Sequence, residues 1–200
     1  FRLNRILVLD IDAHHGNGTQ EAFYETDKVL YMSFHQDPWD FPGTGFVDEI
    51  GEDEGLGYNV NIPLPLRTGD HIYLRAVKEI AVPIVRQYKP QIILVSAGLD
   101  GHYTDPVAEL SLSALCYQEV YRILLDLALE VCEGRFVSVL EGGYSLNFVG
   151  KIATAAVAKM SGIPYTVNDN VPAPSKHVRI QGEKLIEKVK KAQRAFWNLD

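Results

Sequence analysis

The chain has 200 residues, enough for one domain with a sizeable core. Its net charge of −7 works against non-specific binding to nucleic acid, and Asp, Glu, Lys, Arg or Pro interrupts every apolar run before it could span a bilayer. Cys116 and Cys132 lie in apolar, helix-like sequence; they make neither a disulfide framework nor a CxxC metal pair and are expected to be reduced core residues.

In chain order, Phe1-Arg2-Leu3-Asn4-Arg5 lacks the layout of a signal peptide and runs straight into a strand-like segment. A soluble, cytoplasmic protein is expected, with a nuclear location left open for a eukaryotic source. A nearly continuous apolar run over 5–12 ends in carboxylates. A short helix is expected over 18–24 and a second strand over 28–34. Positions 36–57 are rich in Gly, Pro and acids without helical period, and a loop that long is more often functional than idle. Its acids Glu49, Glu52, Asp53 and Glu54 are read as keeping the loop solvated rather than lining a rim. Asp70 is placed to cap a helix reaching 88, with Tyr73, Val77, Ile80, Ala81 and Ile84 on one face and Pro83 kinking or breaking it. A third strand follows over 91–96. Ser113 is placed to cap a helix reaching 133, and a fourth strand covers 135–140. A helix over 146–160 and an irregular stretch over 161–178 come next. Leu185, Val189, Ala192 and Phe196 mark a terminal amphipathic helix that docks on the body. Strands this apolar, alternating with helices, predict a single α/β domain over 1–200: a three-layer α/β/α sandwich around a mainly parallel sheet.

Three strand ends carry unusual polar residues, where open α/β sheets bind ligands. In Asp10-Ile11-Asp12-Ala13-His14-His15-Gly16-Asn17-Gly18, extended backbone would point Asp10, Asp12 and His14 to one side. Carboxylate and imidazole together suit a divalent metal of zinc's borderline character, although spacing alone leaves a polar strand end with capping acids as an equal alternative. Ser96-Ala97-Gly98-Leu99-Asp100-Gly101-His102 brings a third carboxylate just past a buried strand. Asp12, His14 and Asp100 would leave one coordination position open, as a catalytic zinc requires. His102 is read as a solvated loop histidine rather than a fourth ligand. Leu140-Glu141-Gly142-Gly143-Tyr144 offers a tyrosine hydroxyl to a developing oxyanion, or a glycine turn with a packing aromatic.

In order along the chain, these runs resemble the histone deacetylase and acetylpolyamine amidohydrolase family, over roughly residues 5–160 by the order of motifs. Phe41-Pro42-Gly43-Thr44-Gly45 and Asn59-Val60-Asn61-Ile62-Pro63-Leu64 extend the match. Asn17, and Glu141 before the two glycines, resemble the class II branch. The resemblance implies an arginase/deacetylase-like fold, with Asp12, His14 and Asp100 as ligands of Zn2+, or of Fe2+ in the cell. It implies that Tyr144 stabilises an oxyanion, that Asp10 orients a catalytic histidine, that Phe41 walls an acyl-lysine tunnel and that Gly98 and Gly143 line it. It implies structural K+ at two places: Asp10, Asp12, His14, Ser33 and Phe34, and Phe23, Thr26, Val29 and Tyr58. His15 and His35 are expected to pack or support, and Asn17 to orient a second catalytic histidine. The implied reaction is metal-assisted hydrolysis of an N-acetyl amide to acetate and a free amine.

The family's paired histidines normally precede the Asp12 strand, and no such glycine-rich stretch occurs here. The expectation is therefore the C-terminal part of a catalytic domain whose N-terminal portion is missing, with an acetylated lysine peptide or small acetylated amine as ligand and either that absent half or a second copy as protein partner. Val107 follows Asp105-Pro106 where an acidic residue goes with polyamine preference, which slightly favours acyl-lysine or another small amide. The alternatives are an acetylpolyamine deacetylase and a zinc- and acyl-lysine-binding module without turnover. An arginase-type hydrolase ranks last, because the doubled aspartate pattern of a two-metal cluster is not supplied around Asp100.

Overall fold

The structure is a computed structural model and describes residues 3–199, so Phe1, Arg2 and Asp200 fall outside it. Five strands form one wholly parallel sheet: β1 (Ile6–Asp10), β2 (Val29–Gln36), β3 (Asn59–Leu64), β4 (Ile92–Ala97) and β5 (Phe136–Leu140), in spatial order β3-β2-β1-β4-β5. The chain builds outward from β1 on one side through β2 and β3, then crosses back and builds outward on the other. That reversal puts a topological switch point between β1 and β4, where the connections leave in opposite directions and open a crevice. Register aligns Asp10 with both Ser33 and Ser96, so the last residue of β1 is central at that end.

β3 was not among the four expected strands. Asn59, Asn61 and Pro63 all disfavour strand, but β3 is an edge, where Pro63 needs no donor, and the two asparagine amides both donate to the buried Gln20 Oε1 at 2.8 Å. Gln20 lies on α1 (Asn17–Phe23).

Pro83 neither breaks nor ends its helix. α2 (Asp70–Ala76) passes through a wide π turn (Val77–Ala81) into α3 (Val82–Tyr88), and Pro83 falls in the first turn of α3, where its missing N–H costs least. Asp70 does not cap α2. Its carboxylate accepts instead from Ser113 N at 2.9 Å and Ser113 Oγ at 2.6 Å, while Ser113 caps α4 (Ala114–Cys132) by accepting from Cys116 N. Cys116 and Cys132 are both free and buried.

α5 (Val149–Met160) packs on α4, and α6 (Lys176–Gln193) closes over β3, with Gly182, Ile186, Val189 and Gln193 inward. Val189 of the expected stripe is among them, and Leu185 and Ala192 pack against the same core. Leu185 and Ala192 are only partly buried, and Phe196 lies past the helix against Gly57.

Helices α2 to α6 and one face of the sheet share one large core. On the opposite face α1 contacts β2, over a smaller cluster of Val8, Val29 and Tyr31. The Ser138 side chain contacts Tyr121 of α4, so Val137 and Val139 point to the other face, and both are exposed. Among the described residues, the second outer layer of the expected sandwich therefore stops short of β5.

Candidate metal centre

The strand ends at Asp10; Ile11 N still donates to Ser96 O, and beyond it side chains accept the backbone's hydrogen bonds. Asp12 N donates to Asp10 Oδ1 at 3.0 Å and His14 N to Asp12 Oδ1 at 2.9 Å, coiling the segment after β1. Ala13 N donates to Asp100 Oδ1 at 2.8 Å, which ties the end of β1 to the loop after β4. Gly142 N donates to Asp12 Oδ2 at 2.9 Å, which brings in the turn after β5.

This wiring gathers Asp12, His14 and Asp100, with one ligand atom from each lying within 4.8 Å of the others. Asp100 is fully buried, and its Oδ2 has no hydrogen-bond donor. His14 Nδ1 comes to 2.8 Å of that oxygen and 3.4 Å of Asp12 Oδ1, a charge contact rather than an aligned hydrogen bond. An orphaned buried carboxylate oxygen is costly, and here it faces a second carboxylate and an imidazole nitrogen. The chemistry fits a divalent cation: two carboxylate oxygens and one imidazole nitrogen gather at one point, the three-ligand set of a zinc with a free fourth position.

Charge agrees with that fit. Contact with Asp100, then Asp12, lifts His14 to about 10 against its burial. Burial pushes Asp100 up, while hydrogen bonds from His14 and Gly142 outweigh burial at Asp12 and hold it down.

Two glycines make the approach possible. A Cβ on Gly98 would collide with the Asp12 backbone, and one on Gly142 would sit 2.5 Å from Asp12 Oδ2 and 3.0 Å from Asp100 Cγ. Gly98 thus backs the ligand group. Gly143, at φ +137°, packs towards Val149 and Leu99.

Asp10 stands outside the ligand group because the strand's alternation stops there. Its Oδ2 accepts from Tyr31 Oη at 2.9 Å, and burial pushes its carboxyl up to about 7. Ser33 and Phe34 lie beside it on β2, whereas Phe23, Thr26, Val29 and Tyr58 lie at the opposite end, where β2 begins and β3 is about to. Of these, Tyr58 O accepts from Tyr31 N and Phe23 O from Thr26 N.

A cleft of about 730 Å³ opens above His14. Phe41 and Tyr144 line it, 64 % and 51 % exposed, and the Phe41 ring meets His14 edge-on at 5.8 Å. Val107 and Leu66 add apolar surface, and Asp37, Asp40 and Glu109 add carboxylates. Sequence reading did not single out Trp39, 78 % exposed on the same rim; an exposed tryptophan between Pro38 and Asp40 in the long loop was the available signal.

His102 is not solvated: it is fully buried, bonded to Asp169 and Thr104 and stacked on Phe148. Glu49 does not merely solvate its loop, because its carboxylate accepts from Gln20 Nε2, Gly45 N and Phe46 N. His15 and His35 are buried supports, bonded to Gln20 and Thr44 and to Ser33 and Gly45, while Asn17 is exposed at the start of α1.

Residues 1–160 match the family pattern of the histone deacetylase domain. The chain is similar to a probable deacetylase of Archaeoglobus fulgidus, 52 % identical over 143 residues, covering 72 % of this chain and 40 % of that one. It is similar to the histone deacetylase-like amidohydrolase of Pseudomonas aeruginosa, 38 % identical over 167 residues, covering 84 % and 44 %. Among solved structures it superposes on the histone deacetylase Clr3 with a TM-score of 0.86 at 32 % identity, covering 98 % of this chain and 32 % of that one. The HDA15 HD domain gives 0.83 at 33 %, covering 97 % and 51 %. The chain thus spans about a third to a half of the proteins it matches.

Proposed function

The chain belongs to the histone deacetylase family, and from that premise we propose that it carries the metal-binding face of a zinc-dependent hydrolase that cleaves an N-acetyl amide, with acetyl-lysine in protein as substrate, to acetate and free amine. One observation carries the reading: Asp12, His14 and Asp100 converge, and His14 of that group lines the cleft that Phe41 and Tyr144 also line.

When bound, zinc would supply Lewis-acid polarisation of the acetyl carbonyl and a water of lowered pKa. The chain's own residues do the rest of what is assigned here. Phe41 and Val107 shield the acyl-lysine stem, whose methylenes are apolar. The Tyr144 hydroxyl donates a hydrogen bond to the carbonyl oxygen as it becomes an oxyanion. The Asp37, Asp40 and Glu109 carboxylates at the rim favour a cationic peptide. The proton relay is assigned to the paired histidines of the family pattern, because among the described residues His14 is the only imidazole lining the cleft and it is turned to two carboxylates. Asp10, buried beside the centre, is assigned to orient that relay. The two K+ sites named above are retained as structural proposals, and so is a cytoplasmic location.

The test is hydrolysis of an acetyl-lysine peptide beside acetylspermidine by the whole protein. Faster release of acetate from the peptide is expected. Preference for acetylspermidine would move the reading to polyamines, and stoichiometric zinc with no turnover of either would make this a binding module.

A further inference from the structure

Residues 161–175 form neither helix nor strand, are mostly exposed, and lie beyond the stretch that matches the family pattern. Asp169 nevertheless turns inward, its side chain only 7 % exposed. Its Oδ2 accepts from His102 Nε2 at 3.0 Å and from Ala114 N, the first residue of α4, at 2.7 Å.

A carboxylate only accepts, and this fixes the direction of the bonds beyond it. His102 Nε2 carries the proton, so Nδ1 is the acceptor. Nδ1 lies 2.9 Å from Thr104 Oγ1, which therefore donates to it. Thr104 Oγ1 is then free to accept from Ser145 Oγ at 2.7 Å. The imidazole between these partners is held by stacking on Phe148, with ring centroids 4.7 Å apart.

Ser145 follows Tyr144 directly, and a second tie reaches the same turn. Asp105 Oδ2 accepts from Tyr144 N at 2.7 Å and Ser145 N at 3.2 Å, while Asp105 N donates to His102 O at 2.8 Å. Tyr144 itself is half exposed, so its direction is set by these backbone pins more than by packing.

We infer that Asp169 is a positioning residue for Tyr144, acting through His102, Thr104 and Ser145 to fix the turn from which the tyrosine reaches the cleft. The inference rests on the oxyanion role assigned to Tyr144 above. It makes a mostly exposed connector part of the machinery that sets turnover.

The experiment is steady-state kinetics of the whole protein on an acetyl-lysine peptide, with zinc content measured on each preparation. Asp169→Ala is expected to lower kcat by about tenfold to a hundredfold, the scale of a misplaced catalytic group, with KM and zinc nearly unchanged. Asp169→Asn keeps an acceptor at the same place and is expected to restore most of kcat. In a Tyr144→Phe background, Asp169→Ala is expected to add little, since both changes remove one function. Additive losses with a large Tyr144→Phe effect would overturn this inference alone. Loss of zinc in Asp169→Ala would also overturn it, by showing damage to the Asp100 loop. A Tyr144→Phe enzyme with unchanged turnover would bring down the oxyanion reading and this inference together.

Discussion

At the scale of single residues, the centre is a charge-balance problem. Asp100 and then Asp12 lift the His14 imidazole to about 10, and zinc requires its neutral form. Zinc binding at pH 7 should therefore release about one proton, and affinity should climb as pH rises towards 10. Calorimetry in buffers of different ionisation enthalpy measures this directly, and binding with no proton released would show that His14 is already neutral when the metal arrives. Asp100→Ala should remove most of the zinc found by elemental analysis; Tyr144→Phe should leave it in place while cutting turnover by roughly two to three orders of magnitude. His35 gives a separate pH signature. Burial pulls it down to about 3, so between 3 and its ordinary 6.5 the unfolded chain binds a proton that the folded one refuses. Stability should thus be full above 6.5 and fall as pH drops through that window. Asp10, pushed up to about 7, acts with the opposite sign over much of the same range. Only a comparison isolates His35: the His35→Gln protein should lose less stability between pH 7 and pH 5 in urea melts than the parent, and equal losses would refute the assignment.

Elements convert sequence into that geometry, and legibility varies with what each one buries. β1, β2, β4 and β5 could be read because their apolar runs answer to the sheet itself, and Ser113 because its cap is local. β3 could not: its asparagines are tolerated only because Gln20, from α1, arrives to pair with them. Asp70 and Pro83 misled for a similar reason, one serving a distant helix end and the other absorbed by a π turn. The convergence of Asp12, His14 and Asp100 was legible only in part, because spacing alone left a polar strand end with capping acids as an equal alternative, while Asp10's departure was not, since alternation says nothing once the strand stops. Gly98 and Gly143 entered only through the family resemblance, as tunnel lining, and nothing in the sequence shows that Gly98 and Gly142 back onto Asp12. A matched pair tests that partner. Gly98→Ala drives a methyl into Asp12 and should cost about 1–3 kcal/mol in thermal or urea unfolding, with loss of zinc. Gly18→Ala, in α1 with open space around it, should instead stabilise by about 0.5–1 kcal/mol. Equal effects at the two sites would mean the end of β4 is free to move away from the metal centre.

For the whole molecule the decisive feature is asymmetry. Among the described residues, one face of the sheet lies under five helices, whereas the other is covered mainly near β2, and β5 stands at an edge with Val137, Val139 and Leu140 exposed. Parallel strands are normally buried on both faces, and an unpaired edge beside bare valines is a template for another chain. Val139 alone is 54 % exposed at the middle of that surface. These 200 residues expressed by themselves should therefore self-associate, giving a mass above that of one chain by light scattering. Lysine at Val139 should shift the distribution towards the monomer, because a charge on that face opposes stacking without touching the core on the α4 side. Charge alone should not keep the parent apart: a net −7 is a long-range repulsion that salt screens, while burial of apolar surface is not screened, so added salt should drive association further. A parent that stays monomeric at high salt and high concentration would show that the exposed valines are tolerated by water, and that β5 is as sound an edge as β3.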